Sequence, residues 1–567
     1  MTRDILLTLL SFSPSLMGAL ICTIKELPTF QVKAVQIASW LLSLVFILRR
    51  LPYISGDFAR EVFYGVYAFG FISMIHSLNL RPKPTYSTLW FIQFAVLATY
   101  LICISGDTYS TGCGFFIYSI LVWFVISKDT NTRASQTFQL QVFADLCITF
   151  GSFIFLMRAH TLDDLQSVPT RDDWCLLGGG LVLVGILLKS IPGHKCAASV
   201  AHVVVYQGIF ANTWFLFTRI LPYYVEHSYY RPTLIIASGV GLVVLNIAST
   251  LTRNIYTIVQ LLNWGVGCLV IFLGCLFGAE LSQHTILAYL FIHGSVCLVV
   301  ENIVNVMSGE FDITKMGGIL KLTPVTFALC GVAFIVSVVT LILSLVCVPI
   351  INIWIHYDSA YAIVLHIFFA ITYVFSFVRL IRIVFLGRNH STEQVFAHVK
   401  ELSLKLHLPV FLALVCGTVR GIVHISMDSL RMKQSYVTVT LSQEKIIFGL
   451  GLCAATALGA LLCVECMRYL FGRAARVSAA RSSAARASAT RVSFLQNRNR
   501  ADRAALEPPS THLYKLQLYI AVRKVEWLYR NIATYLIERL YSDDTERLIL
   551  FTLGVVIASM LAINITS

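Results

Sequence analysis

Runs of about twenty apolar residues recur along this chain almost from end to end, and few folds accommodate that pattern. A helix rises about 1.5 Å per residue, so ~20 such residues cross the hydrocarbon layer of a bilayer. Candidate spans begin near Ile5, Ala34, Val62, Thr88, Gly112, Phe138, Trp174, Ala198, Thr233, Ile255, Thr285, Leu320, Val339, Ala360, Leu406, Ile446 and Leu548. Allowing for a split run or two, that is about sixteen transmembrane helices. With 57% apolar and 13% charged residues, the chain has too little polar surface to cover a soluble core of 567 residues. Backbone groups in lipid must be satisfied within each segment. The expected fold class is therefore all-α and polytopic. The run from Ile5 to Cys22 has no basic leader and no small-residue cleavage site, and reads as a retained helix without an import leader before it.

Composition also narrows the chemistry. The fifteen cysteines are scattered through apolar segments, with Cys463 and Cys466 as the close pair, and read as small buried hydrophobes. No Gly-rich phosphate loop follows a strand, and no cysteine spacing suits an iron–sulfur cluster. No catalytic, cofactor-binding or metal-ligating residue is expected in this chain.

Charge gathers near the C-terminus. Eight arginines lie from Arg473 to Arg503 among Ala and Ser, with Asp502 as the one acid. The positive-inside bias places this stretch on the matrix or cytoplasmic face. It reads as a solvated, partly helical tether or as a binder of anionic lipid headgroups. Nucleic acid is disfavoured because no aromatic residues interleave with the arginines. After Pro508 and Pro509, apolar Val525, Leu528, Ile532, Leu536 and Leu540 recur at helical spacing opposite Arg523, Lys524, Arg530 and Glu538. This predicts an amphipathic surface helix, followed by a last span from Leu548. The expected organisation is 1–106 N-terminal spans, 107–390 a core bundle, 391–470 further core helices, 471–547 the basic segment and amphipathic helix, and 548–567 a final anchor.

Ionisable residues inside spans cost roughly 2.5–3.5 kcal/mol each and call for an explanation. Asp145 is one, either a proton carrier or a carboxyl satisfied by neighbours. Lys189 ends an apolar run from Trp174 that is too short to span alone, and Pro192 cannot continue its hydrogen-bond ladder. That predicts a discontinuous helix with a polar break; a lysine snorkelling from a helix end is the other reading. His202 and His293 stand in apolar runs, and Asp107 sits beside Gly106.

The polar stretch Asp312 to Pro324, D-I-T-K-M-G-G-I-L-K-L-T-P, is wedged between two apolar runs. It resembles the segment D-I-(R/K)-K-M-G-G-L-L-K-x-x-P of the subunit 5 family of mitochondrial NADH:ubiquinone oxidoreductase, respiratory complex I. Asp312, Lys315, Gly317 and Gly318 are its signature positions. Ala134, Gln136 and Asp145 resemble that family's sixth-helix motif, although its arginine is Val142 here. K-S-I-P-G-H from Lys189 resembles a shortened K-S-A-Q-x-P-x-H, and T-Y-V-F-S-F-V-R-L-I-R resembles the family up to Arg382.

The resemblance implies an antiporter-like core with discontinuous helices, a lateral helix along the membrane arm and a final transmembrane anchor. It implies proton translocation coupled to electron transfer from NADH to quinone, with NADH, FMN, iron–sulfur clusters and quinone held by other subunits. Lys189 would be the central switching residue, gaining and losing a proton as a neighbouring charge comes and goes. Asp145, His293, Asp107 and His202 would be further proton carriers. The implied partners are other membrane-arm subunits, especially the neighbouring antiporter-like one, with phospholipid such as cardiolipin at the arginines, in the mitochondrial inner membrane.

Departures from the pattern leave pumping open. The glutamate that pairs with the lysine is Thr111 here, where Asp107 could substitute; the later lysine is His293, which could relay protons or be a core histidine satisfied by a hydroxyl; a third lysine falls near Pro349. A structural cap of the arm without pumping and a free-standing cation/proton antiporter are the alternatives.

Overall fold

The structure, a computed structural model, describes residues 12–22, 29–48, 57–80, 86–104, 108–127, 133–157, 173–189, 200–226, 230–277, 279–342, 372–387 and 399–424. The chain divides into two units, Met1–Leu470 and Phe471–Ser567, and the described residues all lie in the first. The Arg-rich segment, the amphipathic helix, the final span, Asp107, Pro349 and the spans expected near Ala360 and Ile446 lie outside them.

The described residues form an all-helical, multi-pass bundle. Its helices are α1 Phe12–Cys22, α2 Thr29–Leu48, α3 Asp57–Asn79, α4 Tyr86–Ile104, α5 Thr108–Ser127, α6 Arg133–Leu156 and α7 Asp173–Lys189. They continue as α8 Val200–Glu226, α9 Tyr230–Leu251, α10 Ile255–Phe277, α11 Ala279–Val306, α12 Pro324–Ile342, α13 at 372–386 and α14 Leu404–Thr418. Eight are long and apolar enough to cross a membrane by length and composition. The start expected at Val339 falls inside α12, and the one at Leu320 falls in a 3₁₀ turn ahead of it. An apolar run carries no boundary of its own; Pro324, which suits a first helical position, sets this one.

Two helices form the centre. Of the spans in α8 and α11, 94% is buried in each, against 28% in α2. On α6, Leu146, Phe150 and Phe153 are exposed, while Asp145 is buried. One residue of rotation thus separates a lipid-facing surface from an interior carboxyl. Helix α13 ends in a π turn at Arg382–Leu386, and α14 carries Pro409 inside it and runs into a second π turn, Val419–His424. From that turn Arg420 pairs with Glu61 of α3.

The signature loop is a clasp. Ser308 and Gly309, at φ 56° and 89°, reverse the chain after α11, and the Gly309 amide returns to the Val304 carbonyl at 2.9 Å. The chain then pairs with the α9–α10 turn: the Ile255 amide donates to the Phe311 carbonyl and the Ile313 amide to the Arg253 carbonyl, both at 3.0 Å. Asp312 accepts from the Thr314 amide at 2.9 Å and the Thr314 hydroxyl at 2.6 Å, while Ile313, Met316 and Ile319 are fully buried. Gly317 and Gly318 have φ of 143° and 68°, conformations that L side chains resist. Lys315 reaches Glu310 at 3.4 Å. Glu401 then caps α12, accepting from the Val325 amide at 2.8 Å.

Partial burial works against the Asp312 carboxylate, but the Thr314 hydroxyl and amide and the charges of Arg253 and Lys315 outweigh it and hold the carboxyl below its ordinary range. Its stabilising contribution is therefore present above the unfolded carboxylate value of about 3.9 and lost as pH falls through the lower folded value. Asp312→Ala is expected to cost about 1 kcal/mol, the usual worth of a capping side chain. Thermal unfolding of the detergent-solubilised protein checks this, and the gap between variant and parent should close below that range.

Candidate functional site

Three helices bring one charged cluster together. Helices α6 and α7 approach closely because glycines face the contact: a Cβ on Gly151 would lie 2.6 Å from the Gly178 carbonyl, and one on Gly185 would lie 2.8 Å from the Ala144 carbonyl. Small residues of this kind let transmembrane backbones meet. Lys189, the last residue of α7, and Asp145 of α6 are thereby brought into contact, with Nζ 2.6 Å from Oδ1. From α5, Ser119 closes a triangle: its hydroxyl accepts from Lys189 Nζ at 2.6 Å and donates to Asp145 Oδ2 at 2.5 Å. The third ammonium donor goes to the Phe115 carbonyl at 3.1 Å, and Nζ stands 5.7 Å from the Phe115 ring centre. Gln141, one turn before Asp145, donates to the Lys189 carbonyl at 3.5 Å.

Lys189 is 1% exposed, Asp145 4% and Ser119 0%. Removing two charges from water costs several kcal/mol per ion, which an ion pair offsets only with good geometry and further hydrogen bonds. All three ammonium protons here have acceptors, and both carboxylate oxygens have donors. Such a pair can exchange a proton between amine and carboxylate and so alternate between ionic and neutral forms without a stranded charge.

Lys189 also lines a cavity of about 50 Å³ between α7, α8, α10 and α11, with His202, Tyr206, Gln207, Tyr256, Gln260 and Asn263 among its walls. That is room for a few waters, since one needs about 10–15 Å³. The rings of His202 and Tyr206 meet edge to face at 4.2 Å.

The sequence-predicted residues fall into distinct places. Lys189 and Asp145 meet; His202 shares the Lys189 cavity. His293 stands in another group on α11, its Nε2 3.0 Å from the Tyr373 hydroxyl, which in turn bonds Ser337. Thr111, where the resemblance expects the partner glutamate, is buried on α5, four residues before Phe115 and eight before Ser119, and so shares a face with both. The carboxylate partner of Lys189 is Asp145, on the next helix. Asp312, Lys315, Gly317 and Gly318 belong to the clasp. Two residues escaped sequence reasoning. Ser119 carries no signal that separates it from other serines in spans. Glu301, buried in α11, did carry one, as an acid within an apolar run.

No protein-family model and no curated protein matches the sequence. Solved structures do. A chain in the Mrp complex from Dietzia sp. DQ12-45-1b aligns over 93% of this chain with a TM-score of 0.63 at 13% identity. The two chains share a fold. This chain spans 63% of that one's length. A chain in the membrane-bound sulfane sulfur reductase, an archaeal respiratory membrane complex, aligns over 91% of this chain and 99% of its own, with a TM-score of 0.59 at 13% identity. Within this shared fold, the cluster of α5, α6 and α7 and the cavity toward α8, α10 and α11 are this chain's arrangement of buried charge.

Proposed function

We propose that this chain is an antiporter-like subunit of a multi-subunit membrane complex and carries protons across the bilayer through Lys189. The buried triangle of Lys189, Asp145 and Ser119 at the wall of a polar cavity carries this reading. Charges in a membrane interior are costly, and a paired lysine facing room for water is the arrangement a proton relay needs. The fold shared with chains of an Mrp complex and of a respiratory membrane complex supports membership in such an assembly. The assembly we favour is complex I of the mitochondrial inner membrane, on the clasp residues Asp312, Lys315, Gly317 and Gly318. Electron carriers would then reside in its other subunits. Anionic phospholipid would meet the arginines between Arg473 and Arg503.

A second reading, a structural cap without pumping, is favoured by His293, which stands in place of the family's lysine and bonds the Tyr373 hydroxyl through Nε2. Native gel separation of solubilised membranes with mass spectrometry tests the assembly. Co-migration with NADH-oxidising subunits is expected; migration alone would end the complex I assignment. Proton flux in liposomes holding the isolated assembly tests the chemistry. Asp145→Asn is expected to lower protons moved per turnover by about one channel's share, and an unchanged ratio would favour the cap.

A further inference from the structure

Glu301 stands behind the wall of the Lys189 cavity. It is 3% exposed, and its Oε2 accepts from the Tyr256 hydroxyl at 2.9 Å. Tyr256 itself lines the cavity, so one side chain joins the space beside Lys189 to this carboxyl. Asn305, one turn further along α11, also bonds Glu301, and Cys297, one turn before it, faces it electrostatically. No cation pairs with Glu301 among the described residues. Lys189 is committed to Asp145, and Arg219 of α8 stands 5.5 Å from the Phe215 ring centre. Of the charges on or beside α3 and α14, which also pack on α11, Glu61 pairs with Arg420, Asp57 with Arg60 and His407 with Glu401, while Lys405 stands near Lys33. Across the cavity the titratable groups are Lys189, His202 and Tyr206.

The cavity itself asks for water. Gln207 is 2% exposed and lines it; its amide nitrogen donates to Cys297 Sγ at 3.6 Å, but its carbonyl oxygen has no partner among the described residues. The side-chain carbonyl of Asn263, on the opposite wall, is likewise unmatched. Buried carbonyls without donors cost about 1–3 kcal/mol each, and water in a polar space of this size removes that cost.

We propose that Glu301 is a second proton-exchanging site, joined to Lys189 by water in this cavity with the Tyr256 hydroxyl as the last relay. The proposal rests on the reading of Lys189 as a proton carrier. In the transfer, Lys189 Nζ gives a proton to a cavity water, and a water gives one to the Tyr256 oxygen. The Tyr256 O–H bond breaks as its proton passes to Glu301 Oε2. Lys189 becomes a neutral amine, Glu301 a neutral acid, and Tyr256 and the water end as they began. Asp145 remains a carboxylate. A buried acid without a countercharge suits this role because accepting a proton removes the desolvation cost of its charge.

Infrared difference spectra of the full-length protein in its assembly, held in lipid nanodiscs, read the carboxyl directly. The expected result is a protonated-carboxyl band that titrates with pH and is lost in Glu301→Gln. In Asp145→Asn the band should persist with its midpoint displaced, because losing the carboxylate changes the field that the Lys189 pair sets up across the cavity. Tyr256→Phe should slow deuterium exchange into the band at least about tenfold while leaving the carboxyl in place. A spectrum identical in Glu301→Gln and the parent overturns the site. A midpoint indifferent to Asp145→Asn, or an exchange rate indifferent to Tyr256→Phe, overturns the connection. Proton flux separates this from the preceding reading. Loss of flux in Lys189→Ala but not in Glu301→Gln overturns the role of Glu301 and leaves Lys189 as carrier. The infrared shifts without any flux change in either variant uphold the coupled site and overturn the pumping function.

Discussion

Lys189→Ala is expected to cost about 3–5 kcal/mol of stability, the usual result of stranding one member of a buried ion pair. Asp145 would keep the Ser119 hydroxyl as its donor, at 2.5 Å, with no cation near it. Asp145→Asn should cost less, because the amide retains an acceptor for Lys189 and a shape close to the acid's, while its nitrogen loses the bond to Ser119. Lys189→Met with Asp145→Leu together should regain most of the loss, since apolar residues of similar volume commonly replace a buried pair at little cost. Protons moved per turnover should fall by about one channel's share in all three. Thermal unfolding of the purified assembly and flux in liposomes, run on the same preparations, separate the two effects. A stable double variant with that deficit would mark the pair as chemistry rather than structure. Losses below about 1 kcal/mol for Lys189→Met and for Asp145→Leu alone that add in the double variant would mean that the two side chains do not interact.

The fold was largely legible because hydropathy is a local property. The run from Ile255 begins where α10 begins, and the run from Trp174 begins one residue after α7 does. The site was legible only in part. Asp145 and Lys189 are each conspicuous as charges in apolar runs, yet their pairing spans 44 positions and depends on how α6 and α7 rotate against each other. Periodicity gives the buried face of each helix; the glycines give the approach, and only the assembled hairpin gives the register. Ser119 was invisible for a related reason: an isolated hydroxyl in a span satisfies itself on its own helix as readily as it joins an ion pair. The alternative in which Asp107 replaces the missing carboxylate followed from reasoning along one helix; Asp107 lies outside the described residues, and among those described Asp145 of the next helix pairs with Lys189.

The same hairpin yields the second large effect. Gly185→Leu is expected to cost about 2–3 kcal/mol and to reduce proton flux nearly as far as Lys189→Ala, although it touches neither charge. A Cβ at this position would lie 2.7 Å from Ile148 Cγ1 and 2.8 Å from the Ala144 carbonyl, and the latter is backbone that cannot swing aside. Overpacking a close contact forces backbone shifts, typically at about 1–3 kcal/mol. Ala144 is the residue before Asp145, and Gly185 lies one turn before Lys189. Any separation of α6 and α7 at this level therefore lengthens the 2.6 Å ion pair first. Gly331→Leu on α12 is the control, because a Cβ there meets nothing within 4 Å among the described residues. Unfolding temperature and flux measured on both variants decide the matter. Equal flux in Gly185→Leu and Gly331→Leu would mean that the α6–α7 spacing does not govern proton transfer. Loss confined to Gly185→Leu would tie transfer to the distance between two helices, and so to any partner subunit or lipid that presses them together.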